Sequence, residues 1–250
     1  MAPPMSDAGH RQSWSRAALE RAALALGIVL LFACGYFGVG LSMNPARARA
    51  LATPLDDRIP FLPSTIWLYL WAFPASLSPL FLVRCPRLFR RTALAYAIAI
   101  IVSLTCFVIA PVTSLGLRIN PATLDVSRFS HWAIAVLYAI DPPYNLFPSL
   151  HLSIATLGAF AAWKASCRYG AAMLAGAGLV GASICTIKQH FLVDGLAALA
   201  LAALVHALTL RPYCAPPGWT PARSWRGPAA FLVFATSFYA GCYALFRWMS

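Results

Sequence analysis

KQHFLVDGLAALALAALVHALTLR, residues 188–211, sets a lysine, a histidine and an aspartate at the head of an apolar run that closes on an arginine. From His190 to Leu210 the run is about 20 residues long, the length a helix needs to cross a bilayer core of ~30 Å. A second stretch, DPPYNLFPSLHLSIATLGAFAAWK at 141–164, repeats the arrangement, with His151 at the head of another apolar run. Ionisable groups beside lipid are costly, and they mark candidate functional sites. Working outward, apolar segments recur at roughly 22–43, 64–83, 92–111, 149–165, 170–187, 190–210 and 228–248. They predict an all-α, polytopic transmembrane helical bundle of six core spans, with a seventh after residue 227. The shorter segments reach spanning length only with their flanks.

Composition agrees. Of 250 residues, 60% are hydrophobic and 10% charged, where a soluble domain carries about a quarter charged residues. Segment 131–140 (HWAIAVLYAI) is too short to cross alone and reads as an interfacial or re-entrant helix. Pro54, Pro60 and Pro63 break the link between the first two spans, and Pro216, Pro217 and Pro221 break the link before the last. The first apolar run, from Ala22 to about Met43, exceeds the 7–15 residues of a signal core, so it is expected to stay as a span. Residues 1–21 then form a cytoplasmic tail, and 22–250 form one membrane-embedded catalytic domain with its motif core at about 60–210. Seven Cys without CxxC spacing read as small buried hydrophobes rather than a metal or disulfide framework.

The net charge of +12 is spread between apolar runs, which points to membrane orientation and anionic lipid, with no nucleic-acid module in view. With the N-terminus in the cytoplasm, the cytoplasmic segments hold Arg11, Arg16, Arg21, Arg84, Arg87, Arg90, Arg91, Lys164, Arg168, Arg211, Arg223 and Arg226, twelve of the 19 Lys and Arg. The positive-inside rule favours that orientation. It sets His151, Lys188 and His190 together on the outer face, the periplasm for a bacterial inner membrane.

His190 and Asp194 are four residues apart, so a helix would bring them to one face. The carboxylate then takes one ring nitrogen and leaves the other free as nucleophile or base. A buried His–Asp pair that only ties helices together is the plain alternative. In NLFPSLH, Pro148 suits a first helical turn and Ser149 a capping position. A helix N-terminus offers unpaired N–H groups and a positive dipole end to an anion, with His151 beside it.

These two motifs resemble those of the type 2 phosphatidic acid phosphatase superfamily. Pro148-Ser149-Leu150-His151 stands for the family's PSGH, and Ser183, His190 and Asp194 stand for its SR…H…D. The resemblance covers roughly residues 60–210. Leu150 replaces the glycine, Ile184 stands where an arginine is expected, and Arg118, after Pro111-Val112-Thr113, is the nearest basic residue to a first motif. These departures are similar to the inositol phosphorylceramide synthase branch and its bacterial relatives. The resemblance implies catalysis by His190, His151 and Asp194. Lys188, Ser149 and Arg118 would bind the substrate phosphate, with no metal and no cofactor. His131 and Arg128 are outlying candidates, and His206 reads as structural.

Three functions stay open on the sequence. One is a lipid phosphotransferase that moves a phosphoryl head group between lipid substrates through a phosphohistidine. The second is a lipid phosphate or polyprenyl diphosphate phosphatase with water as acceptor. The third, a non-catalytic lipid transporter or binding protein, predicts paired broken helices near the midplane. Here the polar groups gather at span ends on one face instead.

Overall fold

The computed structural model describes residues 7–217 and 224–249, with side-chain surroundings from Arg16 onward; Pro221 and Arg223 lie outside the described residues, as does the side chain of Arg11. The chain is helical, with α1 at Asp7–Ser42 and a link carrying the short α2, Pro54–Arg58. Three short helices follow in near-continuous file: α3, Ile66–Leu70; α4, Ala72–Leu77; and α5, Pro79–Leu82. Then come α6, Pro86–Ile109; α7, Phe129–Ile140; α8, Leu150–Ala165; α9, Cys167–Thr186; α10, Leu192–Thr209; and α11, Arg226–Met249. Among the described residues the only β pairing is two isolated bridges, Arg49 with Val112 and Val112 with Asn145.

Among the described residues five helices are long and apolar enough to cross a membrane: α1 from Arg16, α6, α9, α10 and α11. The other two apolar segments differ from a simple span. Segment 64–83 is the broken run α3–α5. Pro74 and Pro79 carry no N–H for a helical bond, and Trp71 N donates to Leu68 O at 3.2 Å, a tightened turn. The α8 helix has 16 residues and covers about 24 Å. Helix α7, with 12 residues, is the short element expected at 131–140. Helix α1 begins well before its apolar run, inside the stretch read as a tail.

Helix α8 is the axis of the bundle and packs against α9, α10, α6 and α4. A helix that is apolar all round belongs inside, and residues 152–159 are buried without interruption. Small residues allow the close approach. A Cβ on Gly158 would lie 2.6 Å from the Tyr96 hydroxyl and 3.1 Å from Ala75 O. The outward faces carry large apolar side chains, such as Leu41, Ile109, Leu204 and Leu232, as lipid contact requires. The cysteines follow the same division. Cys85 and Cys185 are buried, but Cys34, Cys167 and Cys214 are exposed, because an apolar residue in such a bundle can face out.

One end of the bundle gathers basic groups. Arg21 donates to Val83 O at 2.7 Å and Leu80 O at 3.1 Å, Arg90 pairs with Glu20, and Arg91 donates to Thr209 O at 2.7 Å. Lys164 reaches Arg211 O at 3.3 Å. Cations on the last carbonyls of a helix also suit its dipole.

Candidate active site

The opposite end is built on the turn between α9 and α10. Helix α9 closes in a Schellman motif: Lys188 N donates to Cys185 O at 3.1 Å and Gln189 N to Ile184 O at 3.0 Å. That motif needs a left-handed residue, normally glycine. Here it is Lys188, with φ 57°. The turn delivers His190 before α10 begins, so His190 and Asp194 do not share a helix face as their spacing suggests. Asp194, the third residue of α10, reaches back instead. Its Oδ2 accepts from Phe191 N at 2.9 Å and faces His190 Nδ1 at 3.4 Å. Both side chains are buried, at 2% and 0% exposure.

The other ring nitrogen of His190 points at the start of α8. Ser149 Oγ lies 3.2 Å from His190 Nε2, and Ser149 N donates to Asp194 O at 3.2 Å. Ser149 holds the N-cap position, but its hydroxyl does not cap the helix. The first-turn N–H groups of Leu150, His151 and Leu152 thus have neither an intrahelical acceptor nor a side-chain cap. Pro148 precedes the cap, rather than sitting in the first turn, and follows Phe147 through a cis peptide. His151 is half-buried, and its ring is surrounded by Phe73 at 5.6 Å, Tyr36 at 5.8 Å, Tyr69 at 5.9 Å and Phe32 at 6.1 Å between centroids. The structure therefore brings His190, Asp194 and Ser149 together, with His151 two residues beyond Ser149 in the first turn of α8.

The two cations expected at the phosphate are engaged by protein acceptors. Lys188 Nζ donates to Ile59 O at 2.6 Å and Asp56 O at 2.9 Å. Arg118 donates to Tyr138 O at 3.0 Å and Asp141 O at 3.1 Å, and pairs with the Asp141 carboxylate at 3.5 Å. Both Arg118 and Asp141 side chains are 8% exposed. His131 Nδ1 accepts from Asp125 N at 3.0 Å, and Arg128 pairs with Asp125 at 3.0 Å, both in exposed settings. The His206 ring lies tilted against Phe160, with 4.3 Å between centroids.

Sequence reasoning missed the residues that bind these pieces together. Asp141 accepts from Tyr36 Oη at 2.7 Å and from Gln189 Nε2, which joins α1, the loop before α8 and the α9–α10 turn. Asn145 Nδ2 donates to Tyr36 O at 2.6 Å. Gly40 admits this approach, since a Cβ there would be 2.3 Å from Pro142 Cβ. Asp56 forms a second hub. Its Oδ2 accepts from Thr53 N and Thr53 Oγ1, both at 2.7 Å, and its Oδ1 from Leu192 N at 2.8 Å. Burial works to raise its carboxyl pKa. The hydrogen bonds from Thr53 and Leu192, with the nearby Lys188 ammonium, outweigh burial and hold it below the ordinary aspartate value. The usable signal was scarcity. The chain has seven acidic residues, and among those with described surroundings the three that are buried, Asp56, Asp141 and Asp194, all stand at this end. Among the described residues, no group of three or more His, Cys, Asp or Glu is arranged to hold a metal ion.

A profile of the PAP2 superfamily matches residues 48–208. No match was found among curated proteins or among solved structures.

Proposed function

The chain belongs to the PAP2 superfamily, whose members are phosphatases and phosphotransferases acting on lipid phosphates, and on that premise we propose that it is an integral-membrane lipid phosphotransferase working through a phosphohistidine. His190 Nε2 attacks phosphorus. The N–P bond forms as the bond from phosphorus to the leaving oxygen breaks, and His151 gives that oxygen its proton. In the second half His151 takes the proton of the acceptor alcohol. The acceptor oxygen bonds to phosphorus and the N–P bond breaks. Asp194 holds the ring by its Nδ1 side and stabilises the positive charge that the ring gains. The Ser149 hydroxyl and the free N–H groups at the start of α8 receive the phosphoryl oxygens. Lys188 and Arg118 add positive charge at the edge of the site.

The observation that carries transfer to a lipid, rather than to water, is the aromatic enclosure of His151. The group that deprotonates the acceptor sits among four rings, a setting suited to a lipid alcohol and poor for water. The charge bias supports an orientation with this site on the outer, periplasmic side of a bacterial inner membrane. Motif similarity to the inositol phosphorylceramide synthase branch supports a phospholipid donor and a sphingolipid or glycerolipid acceptor.

The test uses the full chain purified in detergent. Labelled phosphatidylinositol or phosphatidate is supplied with and without ceramide or diacylglycerol, and the labelled products are resolved. An acceptor-dependent new lipid is the expected result. Free phosphate, or free phosphorylated head group, formed regardless of acceptor would make the protein a hydrolase. His190→Ala and Asp194→Ala should each lose most turnover while the protein stays folded. Normal turnover by His190→Ala would sink the mechanism.

A further inference from the structure

The chemistry assigned above lies on α8 and on the α9–α10 turn, and it gives no work to the link between α1 and α3. That link nevertheless carries a carboxylate that is only 4% exposed and whose hydrogen bonds run to the turn holding His190. We propose that Asp56 is a positioning residue for His190, clamping the α9–α10 turn so that Nε2 stays at the start of α8. The inference rests on the reading of His190 as the attacking group.

Three observations carry it. First, the turn is held on both sides of the histidine. Two residues after His190, Leu192 N donates to Asp56 Oδ1 at 2.8 Å; two residues before it, Lys188 Nζ donates to Asp56 O at 2.9 Å. Second, Asp56 is itself fixed, since Thr53 gives its other oxygen both a backbone and a hydroxyl hydrogen. Third, Lys188 occupies a left-handed position that glycine fills readily and that strains a residue carrying a side chain. Strain of this kind persists where surrounding contacts enforce it and the position has a task. The side chain's task here is the pair of bonds to Asp56 O and Ile59 O.

The link has further attachments that do not depend on the carboxylate. Leu62 N donates to Thr186 O at 2.9 Å, and the Thr65 and Thr186 hydroxyls are 2.7 Å apart. Removing the Asp56 carboxylate therefore loosens the turn without freeing the link. The consequence falls on catalysis, because a shift of about 1 Å in a reacting group can cost on the order of a hundredfold in rate.

The experiment measures kcat and KM for the full chain in detergent, with labelled phosphatidylinositol and phosphatidate as donors and ceramide as acceptor. Asp56→Ala is expected to lower kcat by about 10–100-fold, the usual effect of removing a group that orients a reacting side chain, with KM within about threefold of wild type. Asp56→Asn keeps an oxygen for Leu192 N and recovers part of the loss. Leu192→Pro deletes only the N–H that meets Asp56. Proline is tolerated at the first helical position, and Phe191 already has the extended backbone that proline demands of its predecessor. It should lower kcat on the order of tenfold, while Leu192→Ala stays near wild type, and it keeps the test decisive if Asp56→Ala fails to fold. Wild-type kcat in both Asp56→Ala and Leu192→Pro, with His190→Ala inactive, would overturn the positioning role alone. A raised KM at unchanged kcat would also overturn it. Turnover by His190→Ala would instead remove the reading on which the inference stands.

Discussion

Lys188 offers a prediction in which two opposing energies can be separated. Its ammonium donates to two carbonyls, at 2.6 and 2.9 Å, in a half-buried setting. Hydrogen bonds to charged groups are worth about 1.5–3 kcal/mol, and partial exposure places these near the lower figure, about 3 kcal/mol together. Against this stands the left-handed backbone at φ 57°, which glycine would relieve by about 1–2 kcal/mol. Glycine also gives back about 0.4–1 kcal/mol through the freer unfolded chain. Lys188→Gly should therefore be less stable than wild type by about 2 kcal/mol. Lys188→Met keeps the strain and loses the bonds, so it should be less stable by about 3 kcal/mol. The assay is the midpoint of thermal unfolding in one detergent, expected in the order wild type, glycine, methionine. A glycine variant as stable as wild type would mean that the clamp contributes no more than the net backbone strain it offsets, about 1 kcal/mol rather than about 3. A methionine variant at least as stable as the glycine one would mean that the strain is no larger than the glycine's unfolded-chain cost, below about 1 kcal/mol.

Three further outcomes are expected. Gly158→Ala should lower the unfolding midpoint by the equivalent of about 1–3 kcal/mol, because its Cβ would meet Tyr96 and Ala75 at the bundle axis; Gly181→Ala, whose Cβ would lie 3.5 Å from Leu152, should be neutral, and equal midpoints would refute the packing account. Tyr36→Phe leaves the buried Asp141 carboxylate short of one donor and should cost about 1–3 kcal/mol in the same assay, with no change counting against the Asp141 hub. The Asp56 carboxyl titrates below its unfolded value of about 3.9, so its contribution to stability is complete above that pH and disappears as pH falls through the lowered folded value. Asp56→Asn should flatten that acid limb of the stability profile, and identical limbs in the two proteins would refute the linkage.

Much of the fold was legible because lipid imposes length and apolarity on whole segments. The boundaries of α6, α9, α10 and α11 fall within a few residues of the expected runs, apart from the amphipathic start of α6 at Pro86. The breaks in α3–α5 were also written in the sequence, at Pro74 and Pro79, but apolarity alone reads through a proline. What apolarity cannot separate is a core face from a lipid face, which is why the cysteines divide between the two. At the site, the motifs pointed to His151, Ser149, His190 and Asp194. The helical argument for pairing His190 with Asp194 was mistaken in its geometry, since the histidine precedes the helix and the aspartate reaches back as a cap. Asp56, Asp141 and Tyr36 were hidden because the bonds that tie them to one another's elements and to the α9–α10 turn span 48 to 136 residues, and no local spacing records those bonds.

The Tyr36–Asp141 bond joins residues 105 positions apart, and Tyr36 lies on a helix that ends before the matched family region begins at residue 48. During synthesis, α1 must wait in the membrane for a loop made much later, and that loop in turn waits for Gln189. The hub closes only once the chain has been made as far as Gln189, about three quarters of its 250 residues. The hub thus reaches outside the matched family region, and a chain cut back to residues 48–208 would lack the hydroxyl that meets Asp141.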